Sequence, residues 1–143
     1  NDYVMLEADR GLDCGRIVSI CKLDNYKILL NRLDKNLNNK ELHPKLIYKK
    51  MPIIELKYLE RKKELEIIAL KDCKLKVIQF GLNMSIINCE YQFDMNKLTF
   101  FFESDYKIDF RELVKELYKI FKVRIWMCAV EKSKTHYLKE LLQ

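Results

Sequence analysis

At 143 residues, with 49% apolar and 11% aromatic side chains, the chain has material for one domain with a real core and little room for a second full one. Its 27 basic and 21 acidic residues leave a net charge of +6, which favours acidic partners such as nucleic acid or a membrane surface and is silent about the fold. There is no charged segment leading into an apolar one and no apolar run long enough to span a bilayer, so secretion and membrane insertion are unsupported, and a soluble, cytoplasmic protein is expected.

The charge is concentrated. Between Asn25 and Pro52 lie Lys27, Arg32, Lys35, Lys40, Lys45, Lys49 and Lys50 against only Asp34 and Glu41. Cys14, Cys21, Cys73, Cys89 and Cys128 are odd in number, scattered and never spaced as CxxC, so neither a disulfide framework nor a zinc site is indicated, and a reducing compartment is the simplest setting. The chain opens inside strand-like sequence without an initiator Met, as a piece of a longer protein would.

In chain order, YVMLEA and CGRIVSICKL are short strand-like runs joined through DRGLDCG, where Asp9 and Gly11 suit a turn, and together they predict a hairpin. Residues 24 to 54 form a basic insertion rich in Asn, Lys and Leu, bounded by Pro44 and Pro52, of which YKILLNRLDKNL has helical character. ELKYLERKKELEIIALKDCKLKVIQ predicts one long helix, with Leu59, Leu65, Ile68, Leu75 and Ile78 at roughly helical spacing and Gly81 placed to stop it.

Beyond it, Ile87, Cys89, Tyr91 and Phe93 alternate with polar residues, and Leu98, Phe100 and Phe102 continue the alternation after FDMNK. Residues 84 to 104 therefore predict an antiparallel hairpin with an apolar inner face. Asp109 and Glu112 suit a capping box for a helix whose Phe110, Leu113, Val114, Leu117 and Phe121 share one face. VRIWMCAV predicts a last strand, and the tail from Glu131 to Gln143 carries a weak helical pattern. The fold class expected is α+β: an antiparallel sheet with two helices on one face, in ferredoxin-like split βαβ order, plus an extra N-terminal strand.

Three segments, DRGLDCGRIV at 9–18, GLNMSIINCEYQFDMNKLTFFFES at 81–104 and IDFRELVKELYKIFKVRI at 108–125, together resemble the C-terminal domain of the polymerase-suppressor (PSP) proteins, shared with bacterial YaaT-type RNA-maturation factors. The resemblance spans residues 3 to about 130 and fades between Asp24 and Pro52. It implies an RNA-associated adaptor or regulator rather than an enzyme. Some bacterial members carry an iron-sulfur cluster on cysteines after the matched domain; here the sequence after Val130 has none, so no cofactor is carried over.

The residues agree with a non-catalytic reading. His43 and His136 are the only imidazoles and lie outside the matched core, and Gly11, Gly15 and Gly81 are too dispersed to cradle a phosphate. The basic stretch, Lys35, Lys40, Lys45, Lys49 and Lys50, suits phosphate neutralisation and equally suits a solvated loop; the resemblance favours RNA. If Leu98, Phe100 and Phe102 face the helices, Phe101 faces away, either stacking a base or lying under another segment. Arg10 and Arg16 flank the first turn and join the candidate RNA contacts, whereas Arg111 is expected to hold a structural carboxylate. On the last strand, which of Arg124/Trp126 and Val123/Ile125/Met127 faces out is open. No catalytic or metal site is expected. The expected partner is RNA or a ribonucleoprotein particle such as the ribosome, with a protein recruited by the open sheet face as the competing reading and no membrane partner.

Overall fold

The computed structural model describes residues 1–33 and 44–130. Contacts cluster in two compact units, Asn1–Pro52 and Ile53–Gln143. The fold is α+β, and each unit has its own three-stranded sheet.

In the first unit, β1 (Tyr3–Ala8) lies between β2 (Gly11–Arg16) and β3 (Ile47–Lys50), antiparallel to both. The β1–β2 hairpin is as expected but tighter: Ala8 pairs with Gly11, leaving Asp9 and Arg10 as the loop, and Arg10 rather than a glycine takes the positive φ of 55°. Gly15 lets the Leu6 side chain lie close against the backbone, since a Cβ there would come within 2.9 Å of Leu6 Cδ2, a terminal methyl that would have to turn aside. The second strand stops at Arg16, well short of the expected CGRIVSICKL run, and Val18 and Ile20 are exposed. The basic insertion is not a plain loop where it is described: Leu23–Leu33 form helix α1, and Lys49 and Lys50 belong to edge strand β3.

The second unit runs α2 (Lys57–Gln79), β4 (Ser85–Tyr91), β5 (Lys97–Glu103), α3 (Arg111–Phe121) and β6 (Arg124–Ala129). Leu98, Phe100 and Phe102 of β5 turn inward, as their alternation predicts, and are buried with Leu113 and Leu117 of α3 and Ala69, Cys73 and Val77 of α2. Both helices thus cover one face of the sheet. Edge and tilted ring contacts close the core, with Phe102 and Phe110 centroids 5.9 Å apart and Phe100 and Phe121 6.2 Å apart.

Three details depart from the sequence reading. First, β5 pairs with β4 antiparallel and with β6 parallel, so β5, α3 and β6 form an unsplit βαβ unit. A split unit would hold a further strand between β5 and β6, so the ferredoxin-like strand order is not what the sheet adopts. Secondly, a bulge between Ile86 and Asn88 absorbs one residue of β4, so Ile86, Cys89 and Tyr91 face the core rather than Ile87, Cys89, Tyr91 and Phe93 in strict alternation. Thirdly, α2 turns Ala69, Cys73 and Val77 to the sheet, while Ile68, Leu75 and Ile78, part of the helical spacing that predicts α2, are exposed.

The helix ends follow local chemistry. Gly81 takes φ +61°, its N–H bonding to the Ile78 carbonyl at 3.0 Å and that of Leu82 to the Val77 carbonyl at 3.1 Å, which is a Schellman stop. At α3 the expected capping box does not form: the N-cap is Phe110, with no side-chain cap bond, and Asp109 Oδ1 instead accepts the Arg111 N–H two residues on at 3.2 Å, an Asx turn ahead of the helix. The return half is absent as well, because Glu112 instead accepts from Lys115 Nζ at 2.7 Å. The Arg111 guanidinium donates to Asp109 at 2.9 and 2.6 Å, and these bonds hold the exposed carboxyl down at about 2.

Candidate functional site

The parity of β5 that buries Leu98, Phe100 and Phe102 places Lys97, Thr99, Phe101 and Glu103 on the opposite face of the sheet. Val123, Ile125 and Met127 pack on the core, which settles the last strand: Arg124, Trp126 and Cys128 face the same way as Phe101. The register then defines a small surface. Asn88, Phe101 and Cys128 form one row across the three strands, and Glu90, Thr99 and Trp126 the next, with Lys97 beside Arg124 at the end.

Phe101 and Trp126 are therefore diagonal neighbours on adjacent strands. Phe101 is half-buried and Trp126 is 50% exposed, so a planar ring system can reach both. Lys97 Nζ lies 4.8 Å from the Trp126 ring centroid, a cation over an aromatic face. The charge is mixed, since Glu90 and Glu103 share the surface with Lys97 and Arg124.

The first unit distributes its candidate cations instead of gathering them. Arg10 sits at the hairpin loop, 3.6 Å from Asp9, and Arg16 closes β2 opposite Tyr3, at the other end of the sheet. Lys50 pairs opposite Val4 near Arg16 and reaches Asp2 at 3.0 Å; Lys49 lies opposite Met5, and Lys45 precedes β3 near Glu7, whose carboxylate takes the Leu46 N–H. All three lysines are exposed. Lys35 and Lys40 lie outside the described residues, as do His43 and the tail.

The cysteines divide by burial. Cys73 and Cys89 are fully enclosed, and burial pushes each thiol up to about 12, with the nearby Glu66 adding to the effect at Cys89. Cys89 behaves as the small core residue its parity predicts and donates to the Glu66 carbonyl at 3.1 Å. Among the described residues no three His, Cys, Asp or Glu side chains converge on a metal-sized site, and no helix is long and apolar enough to cross a membrane.

Sequence reasoning found Phe101 but missed its partner, because Arg124/Trp126 and Val123/Ile125/Met127 read equally well as either face. The signal available was the more apolar set at Val123, Ile125 and Met127, which a one-sided core claims first. It also missed Glu66. This α2 side chain accepts the Tyr91 N–H at 2.8 Å and Lys62 Nζ at 2.7 Å, sealing the outer edge of β4.

Comparison with known proteins bears on this architecture. The family model described as the PSP1 C-terminal conserved region matches residues 45–130, the stretch that runs from β3 through β6. An uncharacterized protein of Schizosaccharomyces pombe is 40% identical over 146 residues, covering 91% of this chain and 20% of its own length. Stage 0 sporulation protein YaaT of Bacillus subtilis is 36% identical over 123 residues, covering 85% of this chain and 40% of its own. Protein PSP1 of Saccharomyces cerevisiae is 53% identical over 49 residues, 34% of this chain and 6% of its own. The chain thus spans two fifths or less of these relatives, and no solved structure matches it. With α2, the β4–β5 hairpin, α3 and β6 all inside the matched stretch, the chain belongs to the PSP1 C-terminal conserved region family.

Proposed function

We propose that this domain is a non-enzymatic, cytoplasmic adaptor that attaches to RNA or a ribonucleoprotein particle, holding single-stranded bases on the outward face of β4–β5–β6. The observation that carries the reading is the placement of Phe101 and Trp126 as diagonal neighbours, with Lys97 over the indole and Arg124 beside them. Aromatic side chains on adjacent strands offer stacking faces to any base, and neighbouring cations serve the backbone phosphates. The resemblance to RNA-associated proteins points the same way. Lys45, Lys49 and Lys50 supplement this attachment electrostatically, with Lys35 and Lys40 in the same basic stretch and Arg10 and Arg16 at the two ends of the first sheet.

The test is titration of a labelled single-stranded RNA oligonucleotide with the full chain, followed by fluorescence anisotropy over a range of salt. Phe101→Ala and Trp126→Ala are each expected to weaken binding by about tenfold, at roughly 1–3 kcal/mol per stacked base. Changing Lys45, Lys49 and Lys50 to Gln is expected to flatten the dependence of affinity on salt while sparing the stacking contribution. Absence of RNA binding, or binding indifferent to both aromatic substitutions, overturns the assignment. The competing reading, recruitment of an RNA-processing protein by the same sheet face, predicts a protein partner lost on Trp126→Ala whose affinity barely responds to salt.

A further inference from the structure

Helix α2 has two apolar sides. One, built on Ala69, Cys73 and Val77, is consumed by the sheet. The other carries Ile67, Ile68, Leu75 and Ile78, and it is left to solvent: Ile67 is 70% exposed and Ile78 75%. A surface helix of a small domain ordinarily turns charges outward. The outward face here instead carries a shallow, open depression of about 320 Å³ between side chains of the helix itself, lined by Ile67, Leu70, Lys71, Lys74, Leu75 and Ile78.

The spacing of those residues identifies the shape that fits. Ile67, Leu70, Lys71 and Lys74 stand at i, i+3, i+4 and i+7, and Lys71, Lys74, Leu75 and Ile78 repeat the pattern four residues on. A diamond of that spacing is the hole that receives one side-chain knob from a facing helix. The depression spans two such holes in succession. Charge narrows the occupant further. From Ile67 to Gln79 the helix carries Lys71, Lys74 and Lys76 against Asp72 alone, and Lys71 and Lys74 make no ion pair among the described residues.

We infer that the outward face of α2 docks an amphipathic helix of a partner protein, with apolar knobs along its seam and acidic residues flanking them. A second copy of this chain fits poorly, because any pairing that superposes the apolar halves sets Lys71 and Lys74 against themselves. Bare nucleic acid would leave Ile67, Leu75 and Ile78 exposed while using only the lysines. The site lies on a different face from the proposed RNA surface and does not depend on that reading.

The test uses the full chain and two synthetic helical peptides of about three heptads, both with Leu at a and d, one with Glu and the other with Lys at e and g. Like charges keep each peptide from pairing with itself. By anisotropy the Glu peptide is expected to bind at least about tenfold more tightly than the Lys peptide, a difference of about 1.4 kcal/mol. Changing Lys71 and Lys74 together to Glu should reverse that preference, and Ile67→Ser with Ile78→Ser should remove binding of either. All four side chains are on the outer face, so far-ultraviolet circular dichroism should be unchanged. Equal affinity for both peptides overturns the inference. So does binding that survives Ile67→Ser with Ile78→Ser, or attachment through these same residues to anionic phosphatidylglycerol vesicles in place of the acidic peptide.

Discussion

The two units solve the same problem with unequal means. In residues 53–130 two helices and a sheet enclose Leu98, Phe100, Leu113, Leu117, Ala69 and Cys73 almost completely. Among residues 1–28 and 44–52, whose side chains are described, only Val4, Met5 and Met51 are buried, while Val18, Ile20, Ile28, Ile47 and Tyr48 are exposed. A three-stranded sheet needs a cover to turn alternation into a core, and α3 with α2 supplies one in the second unit. The lesson is that stability and platform belong to the second unit, and the first contributes charge and edges.

The largest effect expected from this contrast is in the core. Phe100→Ala removes a fully buried ring from between the two helices and should cost about 4 kcal/mol. Trp126, the single tryptophan, reports the unfolding of this unit in urea. Met5→Ala should leave that tryptophan transition where it is, because its loss is confined to the first sheet. A shift of the tryptophan midpoint by Met5→Ala comparable with that from Phe100→Ala would erase the distinction.

A sharper comparison uses two glutamates in analogous posts. Glu66 accepts the Tyr91 N–H at 2.8 Å from a largely enclosed position, with Lys62 as its ion pair. Glu7 accepts the Leu46 N–H at 3.4 Å on an exposed edge. Removing the first strands a backbone donor and a shielded ammonium; removing the second lets water take over. Glu66→Ala is expected to cost about 2 kcal/mol and to speed hydrogen exchange at the Tyr91 amide, against under about 0.5 kcal/mol for Glu7→Ala. Equal costs would mean the β4 seal adds nothing beyond an exposed hydrogen bond.

The same contrast explains what could be read from the sequence. The β5 alternation, the Gly81 stop and the α3 face were legible because each is a local pattern whose periodicity matches its burial. The β4 phase was not, since SIINCEY offers Ile86 and Ile87 equally and only the bulge decides between them. Helix α2 was legible as a helix but not in its facing: the spacing of Leu59, Leu65, Ile68, Leu75 and Ile78 marks a helical period, yet it is Ala69, Cys73 and Val77 that the sheet buries while Ile68, Leu75 and Ile78 stay outside. The strand order escaped because pairing is a long-range choice; nothing in VRIWMCAV announces that it lies directly against β5. In the candidate surface, Phe101 followed from parity, while Trp126 required knowing which set of the last strand the core had claimed.

The smallest effects bear on whether the units unfold separately. Lys122 and Arg10 both occupy the left-handed region, at φ 56° and 55°, a conformation that costs a residue with a Cβ roughly 1 kcal/mol relative to glycine. Lys122 ends α3 through its N–H to the Tyr118 carbonyl at 2.8 Å, so glycine there keeps the bond and relieves the strain. Lys122→Gly should therefore raise the tryptophan-detected stability by up to about 1 kcal/mol, less the greater freedom glycine gives the unfolded chain. Arg10→Gly relieves a similar strain in the first hairpin and should leave the tryptophan transition unmoved. If instead both substitutions raise it together, the hairpin unfolds with the second core, and the first sheet owes its order to more than Val4, Met5 and Met51.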